Sequence, residues 1–366
     1  MTDWRQVRAL GVEAPGRMYL HDYWEGPPDP GRYRVNTLYT GFSAGTELTF
    51  VKGTNPYLRS RWDAEAGLFR PEEPSASFPV PFLGYMEVGR VSASEAPSIV
   101  EGAVLGMTYG HKTGHTADPA QDFALAVPSG VDPVLGIYLA QMGPICANGL
   151  LHAAQDMAGA DVRSLDEGVR GRRLLVFGGG VVGLLTALFA RWCGASEVIV
   201  VDPAPERRRT AEALGFVALQ EEGAAAEVKR RWTNGAGDRG ADLAFQCRAA
   251  GSALHEALRA LRPQGTVVDL AFYQGGADAV RLGEEFHHNG LSLRCAQIGR
   301  VPRGLAWAWD RRRLAAATAE LLVAEGEAIR EHMITDVVPF DDAPPFVAEL
   351  VERRRPFVQV VFRVGE

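Results

Sequence analysis

The residues in this sequence best suited to chemistry are a run of glycines set between an apolar strand and an apolar helix. Leu174-Leu175-Val176-Phe177 leads directly into Gly178-Gly179-Gly180-Val181-Val182-Gly183, and an apolar segment follows as far as Cys193. In such a turn the first glycine bends the chain and the second brings bare backbone up to a diphosphate. The third lets the helix pack close to the strand. The diphosphate then meets the unsatisfied N–H groups at the helix start, at Val181 and Val182. Next, the strand Val198-Ile199-Val200-Val201 closes on Asp202. That acid lies about 20 residues beyond the last glycine, where a carboxylate accepts hydrogen bonds from the adenosine ribose. Strand, turn, helix and acid together predict a dinucleotide site. A carboxylate there also repels a 2′-phosphate, so NAD(H) is the expected cofactor. Arg207, followed by Arg208 and Arg209, leaves NADP(H) open as the alternative.

A second group lies in Tyr109-Gly110-His111-Lys112-Thr113-Gly114-His115. With Glu47 or Glu87, His111 and His115 would supply the ligand types of a metal site. The flanking glycines argue against the helix that would align them, so the preferred reading is of loop histidines, one of them near substrate. Ser43, Thr46 and Glu47 have the types and order of a capped turn opening a helix, with Glu47 as its first-turn acid.

The elements that must hold these groups fall into two patterns. Up to about Pro133, short runs of Val, Leu, Tyr and Thr are broken by Gly and Pro, as at Tyr33–Thr40, Glu87–Ala93 and Gln121–Val127. This predicts an irregular, mainly antiparallel β domain. The stretch Gly53–Pro79 shows no period and is expected to be a long loop or insertion. Val134–Ala158 has helical spacing apart from a break at Gly143-Pro144. Strands and helices then alternate from Arg173 to Leu270, which predicts a parallel sheet covered on both faces. The tail returns to strand at Ile334–Phe340, helix at Pro345–Arg353 and strand at Phe357–Arg363.

Composition sets the outer bounds. A chain of 366 residues, 46% hydrophobic and 23% charged, is globular and long enough for two domains. A net charge of -7 argues against nucleic acid as a partner. The arginine clusters 207–209, 311–313 and 353–355 sit among acids and read as solvated helix faces. No apolar run is long enough to span a bilayer, and the first ten residues lack the apolar segment of a secretory signal. A cytoplasmic protein acting on a small molecule is expected. Cys146, Cys193, Cys247 and Cys295 are far apart and predict reduced thiols, not a disulfide framework.

With these residues in place, the chain resembles the medium-chain dehydrogenase/reductase superfamily, whose fold is that of zinc alcohol and polyol dehydrogenases. Gly41-Phe42-Ser43-Ala44-Gly45-Thr46-Glu47 and Pro81-Phe82-Leu83-Gly84-Tyr85-Met86-Glu87-Val88-Gly89 resemble its two N-terminal active-site motifs. Gly240–Phe245 and Leu261–Val268 resemble segments of its cofactor domain. The resemblance implies a discontinuous catalytic, GroES-like domain (1–145 and 300–366) and a Rossmann domain (146–299), with the active site in the cleft. It places Gln246 and Phe272 at strand ends beside the nicotinamide. It also implies a homodimer formed through edge strands, for which Leu291–Ile298 is the candidate.

The departures from the family pattern decide the chemistry. Ser43 stands where the first zinc ligand belongs, Tyr85 where the histidine belongs, and Met86 where its glutamate neighbour belongs. No ligand type occurs at Gln141–Pro144, the region matched to the third ligand. A catalytic zinc takes three protein ligands, so zinc is not expected. Hydrogen-bond donors must then stabilise the developing alkoxide. Tyr85 is the expected acid, with Ser43 and Thr46 relaying its proton, Glu47 orienting them, and His111 or Lys112 tuning the group. The expected activity is NAD(H)-dependent hydride transfer to or from an alcohol, polyol or carbonyl compound. The alternatives are an NADPH-dependent quinone or enoyl reductase, and a dinucleotide-binding sensor without catalysis.

Overall fold

The computed structural model describes residues 4–352 and 354–365. Met1–Asp3 and Arg353, which belong to the chain start and to the third arginine cluster, lie outside the described residues. Contacts gather the chain into two units, Met1–Gln141 with Ile334–Glu366, and Met142–Met333.

The first unit opens with a long antiparallel hairpin, β1 (Arg5–Ala14) and β2 (Arg17–Glu25). β3 (Tyr33–Phe42) runs into the short helix α1 (Ala44–Val51). A two-stranded hairpin follows, β4 (Ser60–Asp63) and β5 (Leu68–Pro71), and then β6 (Glu87–Ser94), β7 (Val104–Met107), β8 (Gly114–Ala117) and β9 (Leu125–Ala126). The β4–β5 hairpin lies within Gly53–Pro79, the stretch expected to be a long loop or insertion, and gives part of it paired structure. Its pairing rests on Trp62 opposite Phe69, with ring centroids 5.1 Å apart, and on Arg70 bonded to Asp63. Only two residues of the expected strand Gln121–Val127 pair, because Asp118 and Asp122 close a turn just before them.

In the second unit, α2 (Met142–Ala158) precedes β10 (Arg173–Phe177), α3 (Val181–Trp192), β11 (Glu197–Val201), α4 (Pro205–Ala213) and β12 (Val217–Leu219). There follow α5 (Ala224–Arg231), β13 (Ala241–Gln246), α6 (Gly251–Ala260), β14 (Leu261–Asp269), β15 (Ser292–Cys295) and α7 (Arg311–His332). The six strands form one parallel sheet in the order β12-β11-β10-β13-β14-β15. Leu175, Phe177, Ile199, Val201 and Ala244 face one side of it, in a core shared with α5 and α6. Alternation turns Leu174, Val176 and Val200 to the other side, where they are equally buried. Burial on both faces explains why the strands read as continuous apolar runs.

Gly143 and Pro144 do not break α2 but sit in its first turn, where a missing N–H costs no hydrogen bond. α7 packs on α2 and α3 and so falls in this unit. The unit boundary at 333/334 therefore lies beyond the 299/300 expected above.

The chain then returns to the first unit with β16 (Ile334–Pro339), α8 (Ala343–Val351) and β17 (Gln359–Arg363). The larger sheet there runs β16-β17-β3-β6-β7-β9, with β8 also paired to β3. The register sets Thr40 of β3 opposite Glu87 of β6, and Phe42 opposite Val360 of β17.

The α2–α7 contact has no spare room. A Cβ on Gly143 would lie 2.1 Å from Thr318 Cγ2. Gly143→Ala should lower unfolding stability by about 1–3 kcal/mol in a denaturant titration, and adding Thr318→Ala should restore part of the loss. An unchanged midpoint for the single variant would show that the helices part freely.

Candidate active site

The glycine turn lies wholly in the second unit. Gly178 continues the β10–β11 pairing through its N–H to Val201 O (2.7 Å) and then turns at φ +108°, a conformation that favours glycine. A Cβ on Gly183 would stand 1.7 Å from the Gly178 carbonyl oxygen, so no side chain fits. Gly180 caps α3, and a Cβ there would meet only Arg207 Nη1, at 3.7 Å. At the helix start, before Val181 and Val182, Gly180 thus leaves room beside Arg207.

Asp202 is buried and holds this turn from below. Its Oδ2 accepts the Gly179 N–H (2.8 Å), and its Oδ1 accepts the Ala204 N–H (2.8 Å). Arg207 Nη1 is 3.7 Å from Oδ2, while Arg208 donates to the carbonyls of Asp202 and Pro203. Each carboxylate oxygen keeps a second lone pair for a ribose hydroxyl. The sequence suggests a ribose acceptor at this position; the structure adds the role of latch.

Gln246, at the end of β13, is fully buried and turned into the protein. Its Nε2 donates to Arg248 O (2.9 Å) and to the Tyr273 hydroxyl (3.1 Å). Phe272 is exposed in the stretch after β14. Burial raises the Cys247 thiol well above its ordinary range, so it stays protonated and inert.

The groups placed by the N-terminal motifs come together in the first unit. Ser43 follows β3 and caps α1, but its side chain does not bond the helix backbone. Its Oγ instead pairs with the Tyr85 hydroxyl, which also donates to Thr46 Oγ1 (3.3 Å). Glu47 reaches back to the helix start, where its Oε1 accepts the Ser43 N–H (2.9 Å). Its Oε2 lies 2.6 Å from His111 Nε2. On the other edge of the ring, His111 Nδ1 contacts Thr40 Oγ1, which donates to Glu87 Oε1 (3.2 Å). Burial, then the negative charge of Glu47, holds the Tyr85 phenol above its usual pKa, so it keeps its proton at neutral pH. Burial pushes Glu87 up to about 7. For His111, burial opposes the charge, but Glu47 and Glu87 outweigh it and raise the imidazole pKa.

The two histidines of the glycine-punctuated segment part company. His111 is enclosed among Glu47, Thr40 and the rings of Phe42 and Phe362. His115 lies in β8, stacked on Tyr109 and 3.4 Å from Asp122. Lys112 lies over the Phe82 ring, 4.5 Å from its centre. Thr40 carries no motif that singles it out in the sequence, although the β3 alternation sets it on the face that Phe42 shares. Glu87 reads from the sequence only as a partner for a metal.

Comparison with known proteins follows the same lines. Residues 181–310 match the family model of zinc-binding dehydrogenases. The chain is 26% identical to D-guloside 3-dehydrogenase of Escherichia coli over 355 residues, 95% of this chain and 97% of that one. Among solved structures, a Sinorhizobium meliloti protein described as a zinc-binding dehydrogenase and bound to NADP is 21% identical (TM-score 0.69). The match covers 98% of this chain and 99% of that one. An alcohol dehydrogenase of Thermotoga maritima is 17% identical (TM-score 0.73), with 98% and 99% covered. Fold, glycine turn and relatives agree: residues 181–310 match zinc-binding dehydrogenases, and along nearly its whole length the chain is similar to oxidoreductases of the medium-chain dehydrogenase/reductase type.

Proposed function

We propose that this oxidoreductase transfers hydride between NAD(H) and a secondary alcohol or carbonyl carbon of a polyol or sugar derivative, with Tyr85 in place of a metal as the group that handles the proton. The observation that carries this reading is the mutual hydrogen bond between Ser43 and Tyr85, the two residues at positions matched to zinc ligands. The two hydroxyls are bonded to each other, and neither residue offers the thiolate, imidazole or carboxylate that zinc prefers. Among the described residues no three His, Cys, Asp or Glu side chains gather as a metal site would need. The donor set does not fit a zinc ion.

The glycine turn supports dinucleotide binding, with the diphosphate at Gly180–Gly183 and the adenosine ribose at Asp202. Arg207, set against Asp202, has part of its charge neutralised, which favours NAD(H) over a 2′-phosphorylated cofactor. The nicotinamide supplies the hydride acceptor or donor. The protein must then stabilise negative charge on the substrate oxygen. Tyr85, protonated at neutral pH, donates to that oxygen, while Ser43 and Thr46 hold the phenol in place and pass its proton on. Glu47 holds the backbone of Ser43. The sugar or polyol class follows from the D-guloside 3-dehydrogenase likeness over nearly the whole chain.

Two experiments test this reading. In calorimetric titrations, Asp202→Gly should bind NADH at least about tenfold more weakly than the wild type, because both the ribose acceptor and the latch on Gly179 are lost. Equal affinity would remove Asp202 from the cofactor site. In a panel of polyols, glycosides, aldehydes and quinones, Tyr85→Phe should lower turnover by about 100-fold or more with NADH affinity unchanged. Full activity in that variant would remove Tyr85 from the chemistry.

A further inference from the structure

We infer that Thr40 and Glu87 complete a buried proton relay, Glu47–His111–Thr40–Glu87, in which one proton is shared between His111 and Glu87 through the Thr40 hydroxyl. Both are positioning residues. They act on the Ser43–Tyr85 pair through His111 and Glu47, and this role rests on the reading of Tyr85 given above.

Four side chains make a continuous line of contacts at hydrogen-bond distance: Glu47 Oε2 to His111 Nε2, His111 Nδ1 to Thr40 Oγ1, and Thr40 Oγ1 to Glu87 Oε1. The His111 side chain is 0% exposed and that of Glu47 2%; Glu87 is 0% exposed. Among the described residues no lysine or arginine forms a salt bridge with either carboxylate. Arg5 is bound to Glu25, and Lys112 sits over the Phe82 ring. Lys112, though it makes no salt bridge here, is coupled through space to Glu87, and the phenols of Tyr85 and Tyr109 also face the line, both protonated at neutral pH. Tyr109 bonds Thr37.

Two buried carboxylates and one imidazole cannot all carry charge there without cost. Glu87 is the weaker site for a charge, since its Oε2 has no hydrogen-bond partner. Glu47 is the better one, since it accepts from both Ser43 and His111.

A hydroxyl that touches both an imidazole nitrogen and a carboxylate can point only one way at a time. With Glu87 ionised, the imidazolium Nδ1–H donates to Thr40, and Thr40 donates to Glu87. With Glu87 protonated, its O–H donates to Thr40, and Thr40 donates to Nδ1 of a neutral imidazole whose Nε2–H stays on Glu47. The two arrangements hold the same number of protons. Passing from the first to the second breaks the Nδ1–H and the original Thr40 O–H. It forms a new O–H on Thr40 and one on Glu87, and the net charge does not change. The line can therefore move positive charge away from Glu47, and so alter the field at Tyr85, without exchanging a proton with solvent.

The test uses the full-length protein labelled with 15N-histidine, with the His111 signals identified from a His111→Asn variant. Glu87→Gln and Thr40→Val should each lower the pH midpoint of the His111 ring by at least about half a unit, a threefold loss of proton affinity. Thr40→Ser, which keeps the hydroxyl and disturbs the packing less, should stay at the wild-type midpoint. The pH midpoint of turnover should move in the same two variants, with NADH affinity unchanged. A His111 midpoint that is the same in all four proteins, or one in Thr40→Ser that falls with Thr40→Val, overturns the relay. A shifted midpoint in a protein that turns over none of the panel supports the relay and sinks the hydride-transfer reading. An unshifted midpoint in an active enzyme sinks the relay alone.

Discussion

A backbone carbonyl lies where a side chain at position 183 would begin. The oxygen of Gly178 is 1.7 Å from the place a Cβ on Gly183 would take, so strand and helix meet at a distance open only to glycine. That contact fixes the direction in which α3 leaves the sheet, and hence the direction in which its first N–H groups point. Asp202 then closes the turn from the neighbouring strand by accepting the Gly179 N–H. The cradle is thus made of backbone, held by one carboxylate. Its capacity for an anion comes from amides the helix cannot satisfy itself and not from a cluster of basic side chains. On the reading proposed above, this is how an acidic protein presents a diphosphate site.

The same economy of charge governs the first unit, with a different result. There the site is built from hydroxyls, two carboxylates and one imidazole, nearly all removed from solvent. On the reading proposed above, two hydroxyls bonded to each other stand where a zinc enzyme would place a cation. Without a metal the strongest local charge would be missing, and the surrounding groups would have to balance without it. Among the described residues the imidazole of His111 is the basic group bonded into this line of acids, which makes its proton the pivot of the local electrostatics.

What could be read from the sequence follows the range of the interactions. The glycine turn and Asp202 were legible because strand, turn, helix and acid are ordered along the chain and each has a local signature. The parallel sheet was legible for the same reason. The β4–β5 hairpin was not, because four-residue strands between prolines show no period, and Trp62 meets Phe69 only once the turn has formed. Pro144 misled because a proline breaks a helix only past its first turn, and Gln141, just before the helix start at Met142, is not one of the residue types that usually announce a helix start. α7 reads as a solvated arginine face at its start, yet Leu314, Leu321 and Leu322 are buried along it.

The polar line in the first unit lay beyond such reading, for a reason that also bears on its role. Thr40 and Glu87 are joined by strand register, and His111 reaches them from the loop after β7. A shift of one residue in the β3–β6 pairing would turn Thr40 to the opposite face and leave His111 with one partner. The register is fixed by apolar burial, with Val35, Phe42, Val88 and Val91 all inside. The hydrophobic core therefore selects which polar atoms meet. The polar atoms need not stabilise the fold, because burial has already met the cost of bringing them together. Their placement is consequently free to serve a proton, which accounts for two carboxylates and a histidine in a core that could have been filled with leucine.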